Sequence, residues 1–283
     1  GDPVLLKLDQ HANQETVERI RTEMGLNDPV TVQYVRYVAR AVRGDFGESI
    51  RWQGRTVNEL IFKRVPVSAQ LGLAALIISV VAGIPIGLFA ALKQGSIWDT
   101  VAVCITLVGQ SLPVFLTVPV LLWLFALKLG VLPTHGWGGF FDTRIILPAF
   151  VLGIPGIAII TRLTRASTLD VVGQDYIRTA RAKGLTERII TYRHILRNSI
   201  IPVVTTLGFA LAGLASGSFI VEFWFGIPGV GLLALEALFN LDYPIIMALT
   251  ILGTTLFVLA NLIVDLAYPF LDPRIRLGGG YLV

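Results

Sequence analysis

Residues 175–202 read DYIRTARAKGLTERIITYRHILRNSIIP and form the most informative stretch of this chain. The stretch is basic and rich in helix-forming residues. It lies between long apolar runs that have the composition of membrane spans. A chain that is otherwise so apolar has little reason to keep such an insert unless a partner outside the bilayer binds it. The stretch therefore predicts a membrane protein that works as one part of a larger assembly.

The composition excludes an ordinary soluble domain. Of the 283 residues, 54% are hydrophobic and 15% are charged, and the mean hydropathy is +0.72. The net charge of +4 is small and the basic residues are clustered, which argues against nucleic acid as a partner. The single cysteine, Cys104, cannot form an internal disulfide, and we expect it to pack as a small hydrophobe.

Charge-free apolar runs predict the membrane spans, each of which needs about 20 residues. Five runs qualify: Val65–Leu92, Thr100–Leu127, Ile145–Thr161, Asn198–Val221 and Tyr243–Val264. The third is short and is expected to borrow a turn at one end, and Pro113 and Pro119 can kink or break the second. We therefore predict an all-α, polytopic membrane protein with five spans, in which residues 65–283 form the transmembrane domain.

Residues 1–64 differ from the rest, because charges of both signs are evenly mixed there. The cap and stop residues predict one amphipathic helix from Asn13 to about Met24. A second helix has Asp28 as its cap and Pro29 at its first position, and it ends near Gly44. A third, short helix over about Thr56–Arg64 leads straight into the first span.

The positions of Lys and Arg predict the orientation in the membrane. Eight of them lie in the loop between the third and fourth spans: Arg162, Arg165, Arg178, Arg181, Lys183, Arg188, Arg193 and Arg197. The loop between the fourth and fifth spans has none. We therefore expect loop 162–199 to be cytoplasmic, the C-terminus to be cytoplasmic beside Arg274 and Arg276, and residues 1–64 to be outside. Lys63 and Arg64 count against the last placement, but long segments translocate largely regardless of charge.

The part of this loop from Tyr176 to Leu185 predicts a short helix that stops at Gly184. Small residues there would let a partner approach the backbone closely. Arg178 and Arg181 are three residues apart and share a helix face, where they are available to acidic groups. Thr186–Asn198 predicts an amphipathic stretch that returns to the membrane. The alternative is that the loop is basic only because it is cytoplasmic.

This stretch resembles the coupling segment of ATP-binding cassette (ABC) importer permeases, and specifically of the peptide/nickel permease family. YIRTARAKGL followed by RHxLRNxxIPV is similar to the signature of that family. The chain departs from the general permease pattern, with Arg178 and Thr179 in place of Glu and the first Ala, and Arg197 at the Pro position. Those departures are what the peptide branch shows. Further similar motifs follow in order: GDP at 1–3, GDFGES at 44–49, SLPVF at 111–115, GIPGVG at 226–231 and NLIVDLAYPFLDPRIR at 261–276.

The resemblance implies the type I ABC importer transmembrane fold and an ATP-driven import function. It also implies that the family's first membrane helix precedes the GDP motif and is missing from this chain. The expected partners are a homologous second permease, two ABC ATPase subunits, an extracytoplasmic substrate-binding protein and membrane lipid. The expected location is the bacterial cytoplasmic (inner) membrane. The resemblance assigns ATPase coupling to these residues: Asp175, Tyr176, Arg178, Thr179, Ala180, Arg181, Ala182, Lys183, Gly184 and Leu185.

The resemblance implies that partner subunits bind ATP and Mg²⁺ and that this chain is a non-catalytic subunit without a cofactor. The sequence fits this expectation, since no GxxxxGK[ST] loop occurs in it. His11, His135 and His194 have no metal-ligand spacing, so we predict no metal site. Within the family the cargo can be dipeptides, oligopeptides, glutathione, opines or nickel. A secondary transporter or channel that needs no ATP, and a membrane-bound enzyme, are the alternatives from other classes.

Polar groups within the spans are candidates for the translocation path, because such groups are costly in lipid unless they have a function. They are Gln110, Ser111 and Pro113 in the second span, and Ser216, Ser218 and Glu222 in the fourth. Helix packing through small residues is an equally good explanation for the two serines of the fourth span. Asn261 and Asp265 lie in the fifth span, where Asp265 can pair with Arg274 or Arg276 as a structural contact.

Residues 224–244 are predicted to be external, with a helix over Leu232–Phe239 that is too short to span and lies at the outer surface. This segment is expected to cap the path or to meet the binding protein, and Glu236 and Asp242 are the candidate contacts. Packing against the neighbouring spans is the alternative.

Overall fold

The computed structural model describes residues 18–19, 21–22, 25–213 and 217–271, and within them side chains except at 209, 211–213, 260, 264–265 and 267–271. Beyond one isolated bridge between Glu48 and Thr56, the regular structure of these residues is helical. The α-helices are α1 Val30–Val42, α2 Val57–Leu92, α3 Ile97–Ser111, α4 Val114–Leu121, α5 Ile146–Val172, α6 Asp175–Ala182, α7 Glu187–Ile189, α8 Arg197–Ser199, α9 Ile201–Gly213, α10 Phe219–Phe225, α11 Val230–Phe239 and α12 Tyr243–Leu271. A 3-10 turn Thr143–Ile145 precedes α5, and π-helical turns Leu122–Lys128 and Ile190–Leu196 follow α4 and α7. The predicted all-α class is confirmed.

Helix α2 has 36 residues and passes from the polar region into the membrane without a break. Thr56 caps it, accepting a hydrogen bond at its Oγ1 from the backbone N–H of Glu59 at 3.2 Å. The predicted short helix Thr56–Arg64 and the first span are therefore one helix. At about 1.5 Å per residue its length is about 54 Å, so its ends extend beyond a hydrocarbon core of about 30 Å.

Helices α2 and α5 lie so close together that glycine is required between them. A Cβ atom at Gly87 would lie 2.4 Å from the carbonyl oxygen of Thr161, and one at Gly83 would lie 2.8 Å from Ile160. From the other side, a Cβ at Gly156 would lie 2.4 Å from Ser79 Oγ. Small residues that let helix backbones approach are the usual basis of helix association in membranes. The pair is therefore packed backbone against backbone.

The second predicted span is broken at Pro113. Leu112 is extended (ψ 121°), as a residue before proline prefers, and Pro113 has no N–H to continue the helix. Helix α3 ends at Ser111, and the stretch Val114–Lys128 leaves at 105° to it. The predicted kink or break is confirmed at Pro113, whereas Pro119 lies inside α4.

Three helices in the described part of the chain are long and apolar enough to cross a membrane: Val57–Leu92, Thr143–Val172 and Tyr243–Ile263. Two helix pairs qualify only together, α3 with Val114–Lys128, and α10 with α11, which bend by 105° and 90°. The structure thus contains three to five candidate spans. The third predicted span is extended at its carboxyl end, as expected for a short run, because α5 continues past Thr161 to Val172.

The predicted fourth span, Asn198–Val221, is not one described helix. It is divided between α8, α9 and α10, and residues 214–216 lie outside the described residues.

Helix α1 ends near Gly44 as predicted, but it begins one residue later than predicted, at Val30. Pro29 occupies the cap position, and the Asp28 carboxylate pairs with Arg36 at 2.6 Å instead of capping the helix. Gly44 follows the helix with φ +77°, a conformation that favours glycine. Most of the predicted helix Asn13–Met24 lies outside the described residues.

Among the side chains that the structure describes, buried apolar residues form three clusters, and α2 contributes to all of them. The first surrounds Leu71 in the middle of α2, and the second surrounds Val57, Leu60 and Ile61 at its start. The third surrounds Leu88 near its end. The first cluster joins α2 to α4, α5 and α10, and the second joins it to α11 and α12. The third joins it to α6 and the turn Ile190–Leu196.

We predict that Gly87→Ala destabilises the protein by about 2 kcal/mol, because the added methyl group forces α2 and α5 apart. Thermal unfolding in detergent measures the change. Gly253→Ala in α12 is the matched control, since nothing lies within 4 Å of its added Cβ. Equal unfolding temperatures for the two variants would contradict the close packing described here.

Candidate coupling site

The predicted helix of the basic loop is α6, Asp175–Ala182, and its stop residue is confirmed. Lys183 ends the helix, and Gly184 follows with φ +74°. The Gly184 N–H donates to the carbonyl oxygen of Arg181 at 2.9 Å. A side chain at Gly184 would be strained, so glycine is needed where the chain turns away from α6.

One face of α6 is anchored to the rest of the chain. Ile177 is fully buried and Ala180 nearly so, and they pack in a cluster with Leu88, Ile190 and Ile195. This cluster joins α6 to the end of α2 and to the predicted amphipathic stretch, which is helical over 187–199. Helix α6 is therefore fixed to α2 and cannot move independently of it without exposing apolar area.

The other face of α6 is exposed. Arg178 and Arg181 have side chains 75% and 43% exposed, with intrachain ion pairs to Asp175 at 3.4 Å and Glu187 at 2.9 Å. Exposed pairs of this kind contribute little to stability. All predicted coupling residues except Ala180 are exposed: Asp175, Tyr176, Arg178, Thr179, Arg181, Ala182, Lys183, Gly184 and Leu185. The arrangement leaves a basic surface on a rigidly held helix.

The predicted path residues fall into two groups. Gln110, Ser111 and Pro113 are exposed together at the 105° bend between α3 and α4. Glu222 lies in α10 and is fully buried within its own chain, and Ser218 precedes that helix with partial exposure. Ser216 lies outside the described residues, as does the proposed pairing of Asp265 with Arg274 or Arg276. That these groups line a path stays a prediction.

The 224–244 segment lies at the opposite end of α2 from α6. Its predicted surface helix is α11, Val230–Phe239, and side chains of α11 pack against the start of α2. Asp242 is fully buried, and its Oδ2 accepts hydrogen bonds from Ser49 Oγ and, at 3.0 Å, from the backbone N–H of Arg51. Glu236 pairs with Arg64 of α2 at 3.3 Å. These two carboxylates contact their own chain, as the packing alternative predicts.

Sequence reasoning missed a buried ion pair between α3 and α5. Arg165 donates to both carboxylate oxygens of Asp99 at 2.6 and 2.8 Å, and Asp99 is almost fully buried. Ser96 caps α3, and Asp99 stands three residues later, so a capping pattern was visible. No local pattern indicates that Asp99 pairs with Arg165, which lies 66 residues away in the sequence. The sequence pattern places Arg165 only among the basic loop residues.

These features define a helical membrane protein that holds a basic helix at one end of α2, the longest of the described helices, and a folded segment at the other. The chain belongs to the family of binding-protein-dependent transport system inner membrane components, which it matches over residues 83–277.

Two relatives match nearly the whole chain. The oligopeptide transport system permease protein OppB of Haemophilus influenzae is 41% identical over 262 residues, which cover 93% of this chain and 86% of the relative. The oligopeptide transport system permease protein AppB of Bacillus subtilis is 40% identical over 284 residues, which cover 98% of this chain and 90% of the relative.

Solved structures show the same fold at low sequence identity. A chain of the MetNI methionine ABC transporter in an inward-facing conformation has a TM-score of 0.61 at 16% identity, over 77% of this chain and 97% of that one. A chain of an amino acid ABC transporter has a TM-score of 0.52 at 18% identity, over 77% and 94%. The predicted fold of an ABC importer transmembrane subunit is confirmed.

We predict that Ile177→Ala loosens α6, because truncating a fully buried isoleucine costs about 2–5 kcal/mol. Limited trypsin digestion of membranes with this loop accessible should then cut faster after Arg178 and Arg181, since local opening exposes the backbone. Ile189→Ala makes the same change at a side chain that is 43% exposed, and it should leave the cleavage rate near that of the unmodified protein. Equal protection in both variants would refute the anchoring role of Ile177.

Proposed function

We propose that this chain is the membrane-spanning permease subunit of an ATP-driven peptide importer. The observation that carries the proposal is α6: a basic helix anchored through Ile177 and Ala180, with its opposite face exposed. Oligopeptide permeases at about 40% identity over most of the chain support the same function. The energy source would be ATP hydrolysis by partner subunits that receive α6.

The exposed face of α6 suits a partner that carries acidic groups. Arginines on a rigid helix can form charge-assisted hydrogen bonds with carboxylates, and holding the helix in place beforehand lowers the ordering cost of docking. When the ATPases close, each pulls on its helix. Because the buried cluster around Ile177 joins α6 to α2, the pull would move the packed spans as rigid bodies between inward- and outward-facing states.

The complete transporter would contain a homologous second permease, two ABC ATPase subunits and an extracytoplasmic substrate-binding protein. ATP and Mg²⁺ would be bound by the ATPases, and this chain would bind no cofactor and catalyse no reaction. The absence of a GxxxxGK[ST] loop from the sequence supports this division. The translocation path would lie between the two permeases, and the exposed Gln110, Ser111 and Pro113 are its candidate lining residues in this chain.

We further propose that loop 162–199 and the C-terminus are cytoplasmic and that residues 1–64 and 224–244 are outside. The location of α6 and the 224–244 segment at opposite ends of α2 supports this orientation. The distribution of basic residues supports it as well, because loop 162–199 is rich in Lys and Arg whereas the 224–244 segment contains none.

Reversal of charge on α6 is expected to abolish peptide uptake while the protein remains in the membrane. Arg178→Glu combined with Arg181→Glu would place like charges against an acidic groove and prevent ATPase docking. Gly184→Pro should act in the same way, because it distorts the turn that ends α6. Uptake of a labelled peptide and co-purification of the ATPases measure the effect.

Lys93→Glu is the control for charge reversal, because Lys93 is an exposed residue of the neighbouring turn between α2 and α3. It should retain most of the uptake. Normal transport by the Arg178 and Arg181 variant would remove the coupling role of α6.

Single-cysteine labelling is expected to place α6 and α11 on opposite sides of the membrane. In a Cys104→Ser background, Phe239→Cys should react with a membrane-impermeant maleimide added outside spheroplasts, since Phe239 is 76% exposed. Lys183→Cys should react only in inside-out vesicles. Labelling of residue 183 from outside would reverse the proposed orientation.

A further inference from the structure

Glu222 is a fully buried carboxylate that accepts three hydrogen bonds. Its Oε1 accepts from Ser68 Oγ at 2.7 Å and from the backbone N–H of Ser218 at 3.1 Å, and its Oε2 accepts from the backbone N–H of Leu232 at 2.8 Å. Within the described part of the chain, no basic side chain forms an ion pair with it. A buried charge is costly unless hydrogen bonds satisfy it, so these three donors are what keep Glu222 in place.

The carboxylate lies at the amino-terminal end of α11. Gly229 is the cap residue of that ten-residue helix, and Leu232 is in its first turn. Ser68 Oγ accepts from the backbone N–H of Val230 at 2.8 Å while it donates to Glu222. The two side chains thus satisfy N–H groups that a helix leaves unpaired, where the helix dipole also favours a negative charge.

Gly217 and Gly229 lie against this carboxylate, and Gly231 lies against the backbone at the start of α10; each permits an approach that a side chain would block. A Cβ at Gly229 would lie 2.5 Å from Glu222 Cδ, and one at Gly217 would lie 2.7 Å from Oε1. A Cβ at Gly231 would lie 2.6 Å from the backbone nitrogen of Phe219. Gly217 also has φ +71°. The backbone is therefore shaped around Glu222, and a side chain at position 217 or 229 would displace the carboxylate.

Glu222 joins three parts of the chain: α10 that carries it, α2 through Ser68, and the 224–244 segment through Leu232. Ser68 and Leu88 are 20 residues apart in α2, which corresponds to about 30 Å along the helix. Ser68 contacts Glu222, and Leu88, about 30 Å further along α2, packs against α6. One continuous helix thus connects α6 to the contact made by Glu222.

We propose that Glu222 is a positioning residue that fixes the 224–244 segment to α2, so that α6, α2 and this segment move as one body throughout the transport cycle. This inference rests on the proposed function. Movement imposed on α6 by the ATPases would then reach the surface that faces the binding protein without an intervening hinge. The ion pair between Arg64 of α2 and Glu236 supports the same attachment, and Ser49, which precedes α2, bonds to Asp242 of the same segment.

The experiment uses the whole transporter, with its partner subunits and binding protein, in proteoliposomes. Glu222→Gln keeps the shape but turns an amide NH₂ toward a backbone donor, and Ser68→Ala removes the hydroxyl that bridges Glu222 and Val230. For each variant we expect peptide uptake and the stimulation of ATP hydrolysis by the binding protein to fall at least about tenfold, the effect of one lost charged hydrogen bond. The ATPases should still co-purify. Glu59→Gln, at an exposed carboxylate near the same end of α2, should behave like the unmodified protein.

A disulfide can replace the carboxylate as the link between α2 and the 224–244 segment. It tests whether that attachment, and no other property of Glu222, is what transport requires. A Cβ at Gly229 would lie 2.5 Å from Ser68 Oγ, so cysteines at 68 and 229 are close enough to bond once Glu222→Ala provides space. In a Cys104→Ser background, the Ser68→Cys, Glu222→Ala, Gly229→Cys variant should be inactive when reduced and should regain binding-protein stimulation when oxidised. Mass spectrometry confirms the cross-link.

Two results would overturn this proposal. One is full uptake by Glu222→Gln and Ser68→Ala, and the other is a verified cross-link that leaves the oxidised protein as inactive as the reduced one. Failure of the importer function itself is distinguishable, because the unmodified complex would then show no ATP-dependent uptake of peptide.

Discussion

The close contact between α2 and α5 is the constraint on which the rest of the structure depends. In lipid, apolar side chains gain little by facing one another, so helices associate where backbones can approach. Gly83 and Gly87 of α2 and Gly156 of α5 permit that approach, and Thr161 adds a hydrogen bond to the Gly83 carbonyl oxygen at 3.3 Å. Because α5 leads through a short turn into α6, the packed pair fixes the basic helix from two directions.

Charged groups are concentrated at the two ends of this packed pair. Arg178 and Arg181 at one end are exposed, whereas Glu222 at the other end is buried. The runs Val65–Leu92 and Ile145–Thr161 contain no charged residue. Transporters that couple to ion gradients often carry ionisable groups at mid-membrane, and these two runs carry none. At one end, Arg178 and Arg181 are exposed and suited to a partner. At the other, the carboxylate of Glu222 is enclosed by its own chain.

The sequence predicted the elements that follow from local rules. The helix predicted over Tyr176–Leu185, its stop at Gly184 and the break at Pro113 depend on neighbouring residues alone, and all three are present, the helix as Asp175–Ala182. Contacts between distant residues were not predictable, because no local pattern links Ser68 to Glu222 or Asp99 to Arg165. The same limit applies to Glu222, whose hydrogen bonds within its own chain no local pattern predicts. Polarity within a span indicates that a group needs a partner but does not say whether that partner is water, substrate or the protein.

The glycines of the GIPGVG motif at 226–231, which resembles a motif of the permease family, have physical roles in the structure. A turn rich in glycine and proline at a membrane surface is ordinarily a flexible connection. Here Gly226 ends α10 in a left-handed conformation, Gly229 caps α11, and Gly231 lies against the backbone of Phe219. The three glycines therefore serve different ends: a left-handed stop at Gly226, contact with the buried Glu222 carboxylate at Gly229, and backbone packing at Gly231. A turn held in this way keeps its shape when load is applied, as a segment that must follow the movement of α2 requires.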